Sequence, residues 1–215
     1  MPRKNAPAPG RTPGAIWVIV ALSVVPELVL SGADLGLWGK SSWRFVTYEY
    51  AGFWVGLLGN WRPNYALQPV LMFATYGFLH AGLWHLGLNM VTLLALTPTL
   101  VERIGTCRYV VLYGISLLGG AFGFAAMSSA AAPMVGASGA LFGLVGALMS
   151  LEFRQRIERG QPVAPLIGIA FVLVLGNALI WWATGGSLAW ETHLGGFLAG
   201  WVMALVLPDN RSTAT

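Results

Sequence analysis

Six stretches of the chain, at about 14–32, 82–101, 108–128, 136–153, 163–183 and 190–207, are apolar over the length that a bilayer core demands. A helix crosses roughly 30 Å of hydrocarbon in about 20 residues, with slack for tilt. Backbone polar groups in lipid must be satisfied within the segment, and none of the six shows the strict alternation of a barrel strand. Each is therefore predicted as a helix. The composition agrees: of 215 residues, 56% are hydrophobic and 9% are charged, against about 25% charged in a soluble domain. The expected fold class is an all-α membrane protein with six transmembrane helices.

The ends differ in kind. Residues 1–13 are basic and Pro-rich, and are expected to stay disordered. Residues 14–208 form the six-span unit, and 209–215 a short polar tail. Arg3, Lys4 and Arg11 before an apolar run imitate a secretory signal, but the run continues through Pro26 and Glu27 to Leu30 without a small-x-small cleavage site. It reads as a retained first span. No appended soluble domain and no seventh span are expected.

Lys and Arg set the direction of the chain. With the N-terminus in the cytoplasm, Arg3, Lys4, Arg11, Arg103, Arg108, Arg154, Arg156, Arg159 and Arg211 lie inside, and Lys40, Arg44 and Arg62 lie outside. That bias orients both termini to the cytoplasm. The net charge of +4 is thus a topology signal, and no basic groove pattern points to nucleic acid. The single Cys107 forms no internal disulfide and carries no redox information. The external loop at about 33–81 is rich in Trp, Tyr and Phe, with a helical stretch from Ser42 to Leu58, and is expected to lie in the outer interface. No internal repeat is evident, which argues against an inverted-repeat transporter.

The polar residues of the apolar segments fall in islands. His80, His85 and Asn89 enter span two, Ser138 enters span four within Gly136-Ala137-Ser138-Gly139, and Thr192-His193 enters span six. Polar groups in lipid are costly, so each is a functional candidate. All three spans start on the external side, which brings the islands to one face, on the order of 5–10 Å below the surface. A serine with a distant histidine is the minimum set for nucleophilic catalysis. Gly139 and Gly143 in span four, and Gly196 and Gly200 in span six, form small-xxx-small faces that let two helices approach closely. The plain alternative is ordinary packing. Joined to Ser138 and His193 at matching depth, those faces place serine and imidazole side by side.

His85 and Asn89, four apart, share one helix face and offer two donors for an oxyanion; the alternative is an interhelical polar clamp worth about 1 kcal/mol. His80, about 140° from His85 around a helix, reaches the same site only if the helix starts between them. Without an i, i+4 histidine pair or carboxylate support, no metal site and no cofactor are expected. Glu191 points away from the His193 face. Glu27 and Asn177 read as lone packing or hydration groups, which leaves a Ser–His dyad.

At these residues the chain resembles the rhomboid family of intramembrane serine proteases, in its bacterial six-span form, over roughly residues 15–207. His80-x4-His85-x3-Asn89 is similar to the family's second-span motif, Gly136-Ala137-Ser138-Gly139 to its nucleophile motif, and His193-x2-Gly196-x3-Gly200 to its sixth-span base motif. Glu102-x2-Gly105 resembles the turn that follows span two. The resemblance implies Ser138 as nucleophile and His193 as general base and acid. It further implies an oxyanion hole from the Ser138 N–H, His85 and Asn89, with His80 supporting and Phe142 packing beneath the base. It implies a membrane-protein helix as substrate partner, alongside the lipid bilayer, and a bacterial plasma membrane with the site opening outward. Trp181-Trp182 and the loop at 184–187 resemble the substrate gate and cap. Where many relatives have a Trp-Arg pair shortly before the first histidine, this chain has Leu71-Met72; its Trp43-Arg44 lies far upstream, so the first loop is long. The rival classes are a non-catalytic rhomboid-like protein that binds membrane helices for quality control, and a transporter or channel. The first usually lacks nucleophile or base, and the second calls for charge or broken helices near the midplane. No oligomeric state is assigned.

Overall fold

The computed structural model describes residues 13–210, and the N-terminal segment 1–12 and residues 211–215 lie outside it. Most of the disordered segment expected at 1–13 therefore falls outside the described residues. The helices are α1 (Gly14–Asp34), α2 (Trp43–Ala51), α3 (Gln68–Thr75), α4 (Leu83–Ile104), α5 (Thr106–Met127), α6 (Ser138–Glu158), α7 (Ala164–Ala183) and α8 (Trp190–Val206). The protein is all-α, and every stretch expected to span carries one of the long helices. Four of them, α1, α4, α5 and α7, are long and apolar enough to cross a membrane. The other two fall short for different reasons: α8 has 17 residues, and the last turns of α6 carry Glu152, Arg154, Arg156 and Glu158.

Where α6 and α8 face each other, the residues are small. A Cβ on Gly196 would overlap the Gly139 carbonyl, and one on Gly200 would overlap the Gly143 carbonyl. Gly146 meets the Phe197 backbone in the same way. An adjoining face of α8, about 100° round the helix, is just as close to α5, where Gly119 meets Ala199, and Gly123 meets Gly195. Close backbone approach of this kind replaces the hydrophobic drive that lipid removes. The α5 glycines are a third small face, visible as Gly119-Gly120-x2-Gly123, that the pairwise reading of spans four and six did not use.

The loop between α1 and α4 folds as a unit. The stretch 42–58 is not one helix: α2 ends at Ala51, because Phe53 leaves it to exchange backbone hydrogen bonds with Met134 in the α5–α6 loop (3.0 and 2.9 Å). Glu27, read as a lone polar group, is the anchor of this loop. It is fully buried on α1, accepts from Ser31 Oγ (2.7 Å) and binds Arg44 through both carboxylate oxygens (2.7 and 2.9 Å). Arg44 also reaches Asp34 (2.6 Å) and donates to the His80 carbonyl (2.8 Å), which the Tyr48 hydroxyl meets at 2.5 Å. The bond to Glu27 holds the Arg44 guanidinium even higher than its ordinary range, and burial pushes the Tyr48 phenol up, so both remain donors at neutral pH. Arg44 of the upstream Trp43-Arg44 pair thus docks the long loop onto the bundle.

At the other end, buried Arg103 of α4 pairs with Asp209 and lies 3.7 Å from Glu152 of α6. Asn210 donates its backbone N–H to the Arg103 carbonyl (2.9 Å). The boundary placed after residue 208 therefore falls inside a contact: the first two residues of the polar tail belong to the packed unit. Arg154 donates to the carbonyls of Ala204 and Leu207 (3.1 and 3.0 Å), satisfying acceptors that the end of α8 leaves open.

Candidate active site

Ser138 is the first residue of α6, and His193 is the fourth of α8. With the two helices locked at their glycines, Ser138 Oγ lies 2.9 Å from His193 Nε2. The Phe142 ring, one turn along α6, stacks on the imidazole with centroids 4.2 Å apart and planes 9° from parallel. His193 is 7% exposed. Glycine faces, serine, imidazole and the aromatic beneath it thus come together as one cluster.

The approach to Ser138 is shaped by backbone. Gly136 has φ of +128°, a left-handed conformation that glycine adopts at no steric cost. A Cβ there would stand 2.8 Å from His85 Cε1, so the residue also leaves room for the ring. Its N–H donates to the Tyr76 carbonyl (3.0 Å), while Met134, two residues earlier, is held by Phe53. The segment entering α6 is therefore pinned from two sides. As the first helical residue, Ser138 has a backbone N–H with no intrahelical acceptor, at the positive end of the helix dipole.

The second-span residues satisfy a condition that spacing alone left open. Helix α4 begins at Leu83, after Gly82 at φ +98°, so a helix start does fall between His80 and His85. Their rings meet edge-on with centroids 5.2 Å apart. The Ala81 N–H donates to His85 Nδ1 (3.3 Å), which leaves the Nε2–H of a neutral His85 on the Gly136 side. Asn89 lies one turn further, 5% exposed, and its buried Nδ2 has no hydrogen-bond partner among the described residues. His80 is fully buried behind His85, and its backbone carbonyl receives Arg44 and Tyr48.

One contact was not foreseen. Asn177 of α7, read as a lone packing group, places Oδ1 2.5 Å from His193 Nδ1. It is the strongly polar side chain of an otherwise apolar helix, and that isolation was the available signal.

A sequence model described as the Rhomboid domain matches residues 68–210, which hold every residue of this cluster. The chain belongs to the rhomboid family. Among curated rhomboids it is 32% identical over 199 residues to "Rhomboid protein 1, mitochondrial" of Saccharomyces cerevisiae, covering 86% of this chain and 54% of that protein. It is 32% identical over 177 residues to "RHOMBOID-like protein 2" of Arabidopsis thaliana, covering 82% of this chain and 49% of that one. It is 31% identical over 156 residues to "Rhomboid-like protease 3" of Toxoplasma gondii, covering 72% and 58%. The chain spans only about a third to a little over half of the length of the curated rhomboids it matches. Membership and apolar helices together make this rhomboid an integral membrane protein.

Proposed function

We propose that this chain is an intramembrane serine endopeptidase that cuts transmembrane or juxtamembrane segments of membrane proteins. The observation that supports the reading most is the 2.9 Å contact between Ser138 Oγ and His193 Nε2. Nucleophile and base within hydrogen-bond reach are what acyl transfer requires. In the reaction, His193 takes the Ser138 proton as Oγ attacks the scissile carbonyl. The tetrahedral oxyanion accepts hydrogen bonds from the Ser138 N–H, His85 and Asn89. His193 then protonates the leaving amine, and water hydrolyses the acyl-enzyme with His193 again as base. In this reading α6 and α8 also span, both termini are cytoplasmic, and water enters from the external side. The Trp181-Trp182 end of α7 admits the substrate helix.

A fluorophosphonate probe tests the dyad in detergent-solubilised, folded protein. Labelling is expected, and Ser138→Ala and His193→Ala should each abolish it. Labelling that survives Ser138→Ala overturns the assignment; folded protein that never labels favours a helix-binding rhomboid without catalysis. Loss of one oxyanion donor costs about 10²–10³ in turnover. Asn89→Ala is expected to fall in that range in a cleavage assay on a single-span reporter, and unchanged turnover would remove Asn89 from the site.

A further inference from the structure

We infer that Asn177 is a positioning residue for the catalytic base, so that the site operates as a Ser–His–Asn relay whose third member sits on α7. The inference rests on the proposed hydrolysis and goes beyond a two-residue dyad. An amide can face an imidazole either way round, and the rest of its hydrogen bonding decides which. Asn177 Nδ2 donates to the Leu173 carbonyl at 2.9 Å. A carbonyl only accepts, so that end of the amide is the NH₂ and the end facing His193 is the oxygen. Oδ1 also only accepts. His193 Nδ1, 2.5 Å away, must therefore carry the hydrogen. In a neutral ring the lone pair is then on Nε2, the nitrogen that faces Ser138 Oγ.

The wrong tautomer would put a hydrogen between base and nucleophile, and nothing else at the ring selects against it. Phe142 stacks on the ring face and holds its plane, but a face contact does not distinguish the two nitrogens. At 7% exposure, the ring has little water to take over the Nδ1 contact. Among the described residues, the His85 ring also lies beside Ser138, on its Gly136 side.

The location of Asn177 adds a second consequence. Only Leu166 of α7 is buried, and the Asn177–His193 contact is the one hydrogen bond between α7 and another helix among the described residues. Between α7 and α8 lies a cavity of about 580 Å³, walled by Leu173, Val174, Ala178, Trp181 and Leu194, with Asn177 and His193 as its polar members. The base is oriented only while α7 is seated beside α8. A segment that displaces α7 also releases the tautomer.

The test reads the imidazole directly. The chain has three histidines, so ¹⁵N-labelled imidazole resonances of folded protein can be assigned by subtracting a His193→Gln spectrum. His193 is expected as the Nδ1–H tautomer in the unsubstituted protein, and as a mixture in Asn177→Leu. An Nε2–H form at the start, or a spectrum unchanged by Asn177→Leu, overturns the inference whether or not the protein cleaves anything. Failure of the proposed activity would show separately, as absent Ser138-dependent turnover. With turnover present, Asn177→Leu is expected to lower kcat by about 10–100-fold with KM unchanged, by analogy with lost partners that orient metal-bound histidines. Asn177→Asp, which keeps an acceptor toward Nδ1, should recover most of kcat and move the acid limb of the pH profile upward, because a carboxylate favours the imidazolium. If leucine serves as well as aspartate, Asn177 is a packing residue and the relay is wrong.

Discussion

Ser138→Ala is expected to lower cleavage of a single-span membrane substrate by about 10⁴–10⁶-fold, with His193→Ala close behind and the double variant no worse than the poorer single. Residues that act as one unit show this non-additivity, because removing either leaves only binding and oxyanion stabilisation. The 2.9 Å contact and the stacking of Phe142 on the ring make Ser138 and His193 such a unit. Kinetics in one detergent, with KM measured for each variant, decide the point. If the two losses multiply, serine and imidazole serve separate steps. If the serine variant keeps more than about a hundredth of the turnover, another nucleophile is at work.

The second large effect is on stability. Arg44→Ala leaves Glu27 buried on α1 with Ser31 as its remaining partner. Removing one member of a buried pair costs about 3–5 kcal/mol, since the other charge stays out of water. The same change takes one of two donors from the His80 carbonyl, so the loss reaches the start of α4. Asp34 also bonds Arg44, but its side chain is 37% exposed, and Asp34→Ala should cost no more than about 1 kcal/mol. Adding Glu27→Gln to Arg44→Ala should restore part of the loss by removing the stranded charge. Thermal unfolding in a single detergent compares all of these. An Arg44→Ala variant as stable as Asp34→Ala would mean the loop is held by apolar contacts instead.

The membrane made most of the fold legible, because lipid leaves the backbone few options and the apolar stretches marked their helices to within a few residues. Ser138 and His193 were legible for a related reason: glycines four apart say which helix faces can touch, and topology says at what depth. Asn177 was not. A single polar residue on an apolar helix carries no spacing to a partner, and its face is settled only when α7 docks. The Glu27–Arg44 pair was hidden differently, since it joins a helix to an irregular loop whose path follows no periodicity. His80 lay between these cases, where one glycine at Gly82 decided whether its ring met His85.

Ser138 and His193, the proposed nucleophile and base, lie 55 residues apart along the chain, on α6 and α8. At about 5–20 residues per second of synthesis, that separation amounts to roughly 3–11 s during which Ser138 exists and His193 does not. During this interval the serine has no proton acceptor at 2.9 Å, whatever helices surround it. If the proposed hydrolysis is correct, a nascent chain is thus unarmed until α8 has been made and packs against α5 and α6. On that proposal, the order of residues along the polypeptide would act as a safety catch of the kind that secreted hydrolases obtain from a cleavable pro-segment.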